Sequence, residues 1–333
     1  SHYRIVKFDE PYKVDPIYGG PEYETLASFG SLCLNDDLAS IAKANELCNK
    51  YTLDTISTGV VIAFAMECYE KGLITKEEAD GLEIKWGDGG VIIELVEKIA
   101  KREGIGDLLA EGVKRAAERI GKGAEKFALH VKGLELPMHE PRGKKGVGLT
   151  YAVSNRGACH MQMPHDDTIE REDQLAPEIG LTPDLAPRDR LYDGPEKCIQ
   201  SKIAQDLWAL YDSLIVCKFV FYPSGVSIDT LQGIVSSVTG WDVTPMELMK
   251  VGERAFNLCR AFNLREGFTR EDDRLPERVL EPLPDGPYKG EVIHLQEMID
   301  PYYKARGWDE RGIPTPEKLR ELGIEYVMEQ LPK

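Results

Sequence analysis

The run 148–160 concentrates side chains that can bind or react. It reads Gly-Leu-Thr-Tyr-Ala-Val-Ser-Asn-Arg-Gly-Ala-Cys-His and places four such side chains around Gly157: Asn155, Arg156, Cys159 and His160. Amide, guanidinium, thiol and imidazole groups form hydrogen bonds, carry charge or bind soft metals, and a glycine lets the backbone approach a bound group closely. The run therefore predicts a binding site, although polar runs of this kind are also common in ordinary turns.

Two further regions carry groups of the same kind. Asp212, Cys217 and Lys218 bring a carboxylate, a thiol and an ammonium together directly after an apolar-periodic helix. Earlier in the chain, Gly-Gly-Pro-Glu-Tyr-Glu-Thr contains Glu24, and the run 49–55 reads Asn-Lys-Tyr-Thr-Leu-Asp-Thr. Carboxylate and amide oxygens accept hydrogen bonds, so these runs favour a binding site over an ordinary turn.

The composition excludes several classes of protein. The 333 residues carry a formal net charge of -16 at pH 7, which argues against binding to nucleic acids or anionic membrane surfaces, because both require basic faces. No apolar run approaches the roughly 20 residues that span a bilayer, and the opening residues do not resemble a signal peptide. We therefore expect a cytoplasmic protein without nucleic-acid or membrane partners.

The cysteines predict neither disulfides nor a self-contained iron–sulfur site. There are seven, an odd number, and no two are closely spaced. A cluster normally takes three of its four thiolates from one short run such as Cys-x-x-Cys. We expect reduced thiols, of which five belong to the core: Cys33, Cys48, Cys68, Cys198 and Cys259.

Helical patterns dominate the first third of the chain. Acidic residues at 36–37 can cap a first helix, and Thr-Gly at 58–59 separates it from a buried helix at 60–71. The Thr-Lys-Glu-Glu pattern at 75–78 is a capping box and predicts another helix start. Two later helices are each expected to end at a glycine: 91–102 at Gly104 and 107–120 at Gly121.

The composition changes after Val131, where frequent glycine and proline residues predict an irregular segment. We place the domain boundary there, giving helical domains 1–131 and 132–333 and a mainly α fold. Residues 164–190 are expected to form a long loop. The predicted helix 196–211 delivers Asp212 and Cys217, and a second capping box at 244–247 predicts a helix to about Phe262.

Five runs, in this order, resemble the second and third domains of the tungsten-dependent aldehyde ferredoxin oxidoreductase family. They are Gly-Pro-Glu-Tyr-Glu-Thr (20–25), Ser-Asn-Arg-Gly-Ala-Cys-His (154–160), the Asp-to-Cys run (212–217), Phe-Asn-Leu-Arg-Glu-Gly-Phe-Thr-Arg-Glu-Asp-Asp (262–273) and Tyr-Tyr-Lys-Ala-Arg-Gly-Trp-Asp (302–309) with Gly-Ile-Pro-Thr (312–315). The resemblance covers nearly the whole chain. It implies the helical C-terminal part of such an enzyme, without the family's N-terminal cofactor-platform domain.

The resemblance also implies the chemistry. An aldehyde and water would give a carboxylic acid at tungsten, or molybdenum, held by two pyranopterins, and the two electrons removed from the aldehyde would leave through one 4Fe-4S cluster to ferredoxin. His160 and Glu24 would lie beside the metal, and Cys217 would supply the fourth cluster thiolate. Cofactor contacts would come from Asn49, Leu53, Asp54, Arg156, Gly157, Asp212, Val216 and Lys218. Both cofactors are expected in the intact enzyme rather than in this chain alone, and a homodimer is compatible with the family.

The two pterin-contacting motifs depart from the family pattern, which reads Asp, two residues, Gly, Leu, then Cys or Asp. Asn49 replaces the first Asp, Thr52 and Ile215 replace the two glycines, and Val216 replaces a leucine. A β-branched residue does not adopt positive φ without strain. We therefore expect the detailed pterin contacts to differ from those of the family.

Several alternatives stay open at this stage. His160 and Cys217 could be structural, Glu24 could cap a helix, and Arg156 could brace its loop through a salt bridge. Lys218 could bridge the cofactors, be solvated, or lie in a basic patch that docks an acidic ferredoxin. As a whole, the chain could be a non-catalytic assembly subunit. A metal-binding protein that uses only Cys159 and His160 is disfavoured, since one adjacent pair supplies too few ligands.

Overall fold

The computed structural model describes residues 6–171, 175–185, 189–221 and 226–332. The chain divides into two compact units, Ser1–Met138 and His139–Lys333. Helices dominate both, which confirms the mainly α prediction, and no helix of the described ranges is long and apolar enough to cross a membrane. The opening residues 1–5 and parts of the predicted loop, 172–174 and 186–188, lie outside the described residues.

The first unit is built around one helix that is apolar over most of its surface. The described helices and strands are α1 (Tyr23–Phe29), α2 (Leu38–Tyr51), α3 (Thr55–Glu70), α4 (Gly89–Lys101), α5 (Ile105–Leu109), α6 (Gly112–Ile120), β1 (His130–Val131) and β2 (Leu134–Glu135). In α3, an unbroken run from Thr58 to Met66 is buried. The other helices of the unit pack around it, so α3 is the centre of this core.

The antiparallel pair β1–β2 belongs to this first unit. Glu135 is buried, and its two carboxylate oxygens accept hydrogen bonds from the Val113 backbone N–H and the Ser57 hydroxyl, at 2.8 and 2.7 Å. These bonds tie β2 to α6 and α3. The division between the units therefore falls after Met138 rather than after Val131.

Helix starts in this unit follow their caps in some places only. Asp37 caps α2 through the Ala39 N–H, as predicted. The break before α3 lies at Thr52 rather than at 58–59, because Gly59 is inside α3, where the missing Cβ leaves room for Ser28. The predicted helices 91–102 and 107–120 are present as α4 and as the pair α5–α6.

The capping box at 75–78 forms without a helix. The Thr75 N–H donates to Glu78 Oε2 at 2.8 Å, and the Glu78 N–H donates to Thr75 Oγ1 at 3.2 Å. The chain then turns at Asp80, which has a left-handed φ of 57°. Its carboxylate accepts from the Ile105 N–H at 2.9 Å. The predicted helix start is wrong because this long-range bond to α5 fixes a turn instead.

The second unit is organised around α9. Its described helices are α7 (Lys145–Val153), α8 (Asp166–Ile169), α9 (Pro195–Ser213), α10 (Ile228–Thr239), α11 (Pro245–Arg265), α12 (Glu277–Leu280), α13 (Leu295–Arg306) and α14 (Pro316–Glu321). Helices α7, α11 and α13 pack against α9. The capping box predicted at Thr244 is present and opens α11. In the predicted loop 164–190, the short α8 is an unpredicted element.

Buried charge pairs join these helices. Arg306 of α13 is fully buried and pairs with Asp206 of α9, and its guanidinium also donates to Gln205 Oε1 at 2.7 Å. Arg260 of α11 pairs with buried Asp273 at 2.9 Å. Removing one partner would leave an uncompensated charge in the core, so these pairs strongly constrain how the helices pack.

Candidate functional site

The run 49–54 forms a tight connection between α2 and α3 in the first unit. Helix α2 ends at Tyr51, and Thr52 has a left-handed backbone with φ 61° and ψ 41°. The Leu53 N–H then donates to the Cys48 carbonyl at 2.8 Å. Asp54 has an extended backbone and begins α3, where its Oδ1 accepts from the Ser57 N–H at 2.8 Å.

The run 212–217 has the same design in the second unit. Ile215 is left-handed with φ 56°, and the Val216 N–H donates to the Tyr211 carbonyl at 3.0 Å. Cys217 has an extended backbone and begins a short 3-10 helix, Lys218–Val220. Position by position, the left-handed residue, the returning N–H and the residue that opens the next helix are the same as in the run 49–54.

The expectation that β-branched residues exclude positive φ from these motifs is wrong. A left-handed conformation costs a non-glycine residue roughly 1–2 kcal/mol through the clash of its Cβ with the backbone. Beyond this local cost there is little crowding, because Thr52 and Ile215 are exposed, Ile215 to 93%. The backbone that glycine adopts easily is therefore retained without glycine in both motifs.

The polar side chains of the first-unit motif are open to solvent, and Leu53 is half-buried. Asn49 Nδ2 donates to the Asn45 carbonyl at 2.9 Å, while Asp54 acts as the cap of α3. The hydroxyls of Thr25 and Thr55 lie 2.8 Å apart. This contact joins the start of α1, which carries Glu24, to the start of α3.

Glu24 is buried in the first turn of α1. Its Oε2 accepts a hydrogen bond from the Met138 N–H at 2.8 Å. The cap position of α1 is held by Glu22. Burial, together with the Glu24 charge, raises the pKa of neighbouring Tyr23.

Lys218 is a buried connector in the second unit. Its ammonium donates to Asp212 Oδ2 at 2.8 Å and to the Met161 carbonyl at 2.7 Å, and the side chain is 8% exposed. Asp212 itself faces solvent. Lys218 therefore links the Asp212 motif to the segment that carries His160. It is not a solvated side chain.

Of the five cysteines predicted to belong to the core, one is exposed. Cys217 is exposed, so it is not a core residue. Cys33, Cys48, Cys68 and Cys198 are buried, as predicted. Cys259 is exposed, so its assignment to the core is wrong. It lies on the solvent-facing side of α11, whereas Phe256 and Arg260 of the same helix are buried.

The run 154–160 follows the end of α7 and is pinned to α11. Asn155 Nδ2 donates to the Phe256 carbonyl at 3.0 Å, and Asn263 Nδ2 donates to the Asn155 carbonyl at 2.6 Å. Gly157 has φ 99°, which only glycine adopts readily. Arg156 points to solvent and forms no ion pair with the residues that the structure describes, so the predicted alternative of a bracing salt bridge is not seen there.

His160 belongs to a cluster of three imidazoles in the second unit. Its ring stacks on that of His139, with centroids 5.3 Å apart and nearest ligand nitrogens within 4.8 Å. His165 meets His139 edge-on at 4.3 Å. All three rings are half-buried. The three rings therefore form one contiguous cluster around His139.

The sequence pattern does not predict His139 or His165 as site residues. His165 follows His160 closely in Cys-His-Met-Gln-Met-Pro-His, a second imidazole after the same turn, and this spacing was an available signal. His139 lies in the glycine- and proline-rich segment before α7, where nothing local marks it. Its proximity to His160 is a tertiary feature that appears only in the structure.

The chain belongs to the aldehyde ferredoxin oxidoreductase family. The family model described as "Aldehyde ferredoxin oxidoreductase, domains 2 & 3" matches residues 2–324. This match agrees with the helical fold and with the resemblance carried by the motifs.

Among its relatives, the chain is similar to two tungsten-containing aldehyde ferredoxin oxidoreductases. Identity is 44% over 309 residues with that of Pyrococcus furiosus and 42% over 309 residues with that of Thermococcus kodakarensis, in each case covering 92% of this chain and 48% of the relative. The chain thus spans about half the length of these relatives. It is also 33% identical over 329 residues to the aliphatic sulfonate oxidoreductase, WOR-like subunit, of P. furiosus, covering 94% of this chain and 47% of that protein.

The fold is also similar to that of a solved structure of a different enzyme complex. The active site complex BamBC of benzoyl coenzyme A reductase, in complex with 1,5-dienoyl-CoA, matches with a TM-score of 0.73 and 25% sequence identity. The match covers 93% of this chain and 50% of that chain.

Proposed function

We propose that this chain is the C-terminal, cofactor-contacting part of a tungsten–pterin oxidoreductase that oxidises aldehydes to carboxylic acids and passes the electrons to ferredoxin. The observation that carries the proposal is the identical left-handed turn in the two motifs 49–54 and 212–217. Both turns keep strained β-branched residues where the family has glycine. Backbone strain persists only where the surrounding structure requires it, and such positions cluster at functional sites.

The residues fit the cofactors in their donor chemistry. The Cys217 thiol is exposed at the start of a helix and is available as a cluster ligand. Asn49, Asp54 and Asp212 present exposed oxygen acceptors beside the turns, which suits the N–H donors of pterins. Exposed Arg156 supplies a guanidinium for a phosphate or pyran oxygen. When bound, the tungsten–pterin group and the cluster supply the redox chemistry.

The protein's own part is to position groups and move protons. His160 lies at the end of a glycine turn that α11 holds in place, and its imidazole can exchange a proton with a substrate near neutral pH. Glu24 is a second proton-transfer candidate. Lys218 neutralises Asp212 and fixes it against the His160 segment, so the acceptor beside Cys217 has a defined position.

Aldehydes are favoured over other substrates by the degree of similarity. The aldehyde-named relatives are 44% and 42% identical to this chain, whereas the sulfonate-named relative is 33% identical. Oxidation of an organic sulfonate is therefore the second candidate. Assays of ferredoxin reduction with a series of aldehydes and a series of aliphatic sulfonates would separate the two substrate classes.

Metal analysis of the intact enzyme tests the proposal against a non-catalytic assembly role. We expect tungsten or molybdenum, pterin and about four irons per cluster-binding protomer, together with aldehyde-dependent reduction of ferredoxin. Purified intact protein that contains neither metal nor pterin would support the assembly subunit instead.

A further inference from the structure

The hydrogen-bond partners of His165 specify one protonation state of its ring. His165 Nε2 lies 2.8 Å from the His160 backbone carbonyl oxygen. A carbonyl only accepts, so Nε2 must carry the proton. On the other side, Nδ1 lies 3.4 Å from the Lys144 ammonium, which only donates. Nδ1 must therefore be unprotonated, and the two partners together select the neutral Nε2–H tautomer.

Lys144 is itself held in place. Its Nζ lies 2.8 Å from Asp167 Oδ1, so the ammonium is paired on one side and donates to His165 on the other. The neighbouring Asp166 is buried, accepts from the Gly146 and Val147 N–H groups, and pairs with Lys197. These bonds fasten the start of α8, at which His165 is the cap residue, to the start of α7 beside Lys144.

The electrostatic surroundings of His165 also favour its neutral form. The charged or titratable groups that face His165 are His139, His160, Lys144 and Asp167. Burial, His139 and Lys144 lower the pKa of His165 to about 4, against the smaller opposing effects of the His160 carbonyl and Asp167. A protonated ring would also direct an Nδ1–H at the Lys144 ammonium. The ring therefore stays neutral where an ordinary histidine would begin to charge.

We propose that His165 is a positioning residue of the candidate site. Asp167 and Lys144 fix it in the neutral Nε2–H tautomer. In that state its Nε2–H donates to the His160 carbonyl and its ring packs edge-on against His139. Proton exchange in the cluster is thereby left to His139 and His160. The structural part of this inference is independent of the proposed function; only its consequence for turnover depends on it.

NMR of the chain with labelled histidines tests the structural part without any cofactor. The chain has six histidines, and His165→Gln assigns the signal of interest. We expect His165 to keep the proton on Nε2 and to remain neutral from about pH 8 down to about pH 5, the range in which unperturbed histidines titrate. Titration of His165 near its usual value of 6.5, or a proton on Nδ1, would overturn the inference.

Two variants should move this titration in opposite directions. Lys144→Met removes a cation and should raise the titration midpoint of His165, whereas Asp167→Asn removes an anion and should lower it further. Lys289→Met, at an exposed lysine in the same unit, is the matched control and should leave it unchanged. The inference would be overturned if Lys144→Met left the titration midpoint of His165 unchanged, as Lys289→Met should. It would also be overturned if Lys144→Met and Asp167→Asn shifted that midpoint in the same direction.

Turnover of the intact enzyme tests the consequence separately. His165→Gln keeps an N–H donor for the His160 carbonyl, and His165→Leu removes it. We expect the Gln variant to retain most activity and the Leu variant to lose about 10-fold or more, with the pH profile altered only in the latter. If the NMR results hold but both variants turn over normally, the structural inference stands and the role of this cluster in the proposed function fails.

Discussion

Thr52 and Ile215 occupy equivalent positions in two turns of the same design, and both have left-handed backbones, with φ 61° and 56°. Each follows the end of a long helix and precedes a returning N–H, to the Cys48 and Tyr211 carbonyls respectively. The runs 49–54 and 212–217 share this backbone geometry although their side chains differ at all six positions. The same turn therefore forms twice in this chain without glycine at the left-handed position.

The strain in these turns can be measured. Thr52→Gly and Ile215→Gly should each raise the free energy of unfolding by up to about 1 kcal/mol, because relief of the left-handed penalty exceeds the entropic cost of glycine. Urea denaturation measures the change. Exposed helical positions provide matched controls: Lys114→Gly and Ser237→Gly should lower stability by about 1 kcal/mol. Destabilisation by all four substitutions would show that the turns are unstrained.

Buried Lys218 should not govern docking of a partner. In the intact enzyme, Lys218→Gln should lower turnover, since Asp212 loses its partner and the His160 segment loses a tether. The dependence of ferredoxin reduction on salt should stay unchanged, because only accessible charges steer association. Turnover is measured over a series of ionic strengths. A flattened salt response in this variant would place Lys218 at the docking surface after all.

His165 should make the chain sensitive to acid. Its folded pKa of about 4 lies below its usual value of 6.5, so the unfolded chain binds more protons between these pH values. Stability from this residue is therefore complete above about pH 6.5 and is lost as the pH falls through 4, a change on the order of 3 kcal/mol. Denaturation at several pH values should show a shallower slope for His165→Gln. An identical slope would mean that His165 titrates alike in both states.

The sequence predicts those parts of the fold that depend on neighbouring residues and misses those that depend on contacts with distant residues. Asp37 and Thr244 cap their helices as their neighbours in sequence indicate. The box at Thr75 forms its bonds, but Asp80 then bonds to a distant helix start and prevents a helix. Thr52 adopts a left-handed backbone against the preference of β-branched residues. Local patterns thus locate most helices and fail where a long-range bond competes.

The candidate site, like the fold, is predicted from local sequence patterns only in part. Motif resemblance predicts site roles for His160 and Cys217, whereas His139 joins the cluster only because the segment before α7 packs against the His160 turn. The sequence leaves open whether Lys218 bridges the cofactors or is solvated, and only the fold shows that it is buried between Asp212 and Met161. Cys259 reads as a core thiol, and only its position on α11 exposes it.

His160 should be needed for turnover and not for cofactor retention. In the intact enzyme, His160→Asn should keep tungsten and the cluster and lower turnover by about 100-fold or more, since asparagine is polar but does not titrate at neutral pH. Metal content and the rate with an aldehyde are measured on the same sample. Near-full turnover with intact cofactors would make His160 a structural residue.

The sharpest test of the proposed function compares the two exposed thiols in the intact enzyme. Cys217→Ala should abolish or alter the electron paramagnetic resonance signal of the reduced cluster and slow ferredoxin reduction, while tungsten and pterin remain. Cys259→Ala, at the other exposed cysteine, should leave the signal and the rate unchanged. An unaltered cluster signal in Cys217→Ala would contradict the assignment of this chain as the part that supplies the fourth thiolate.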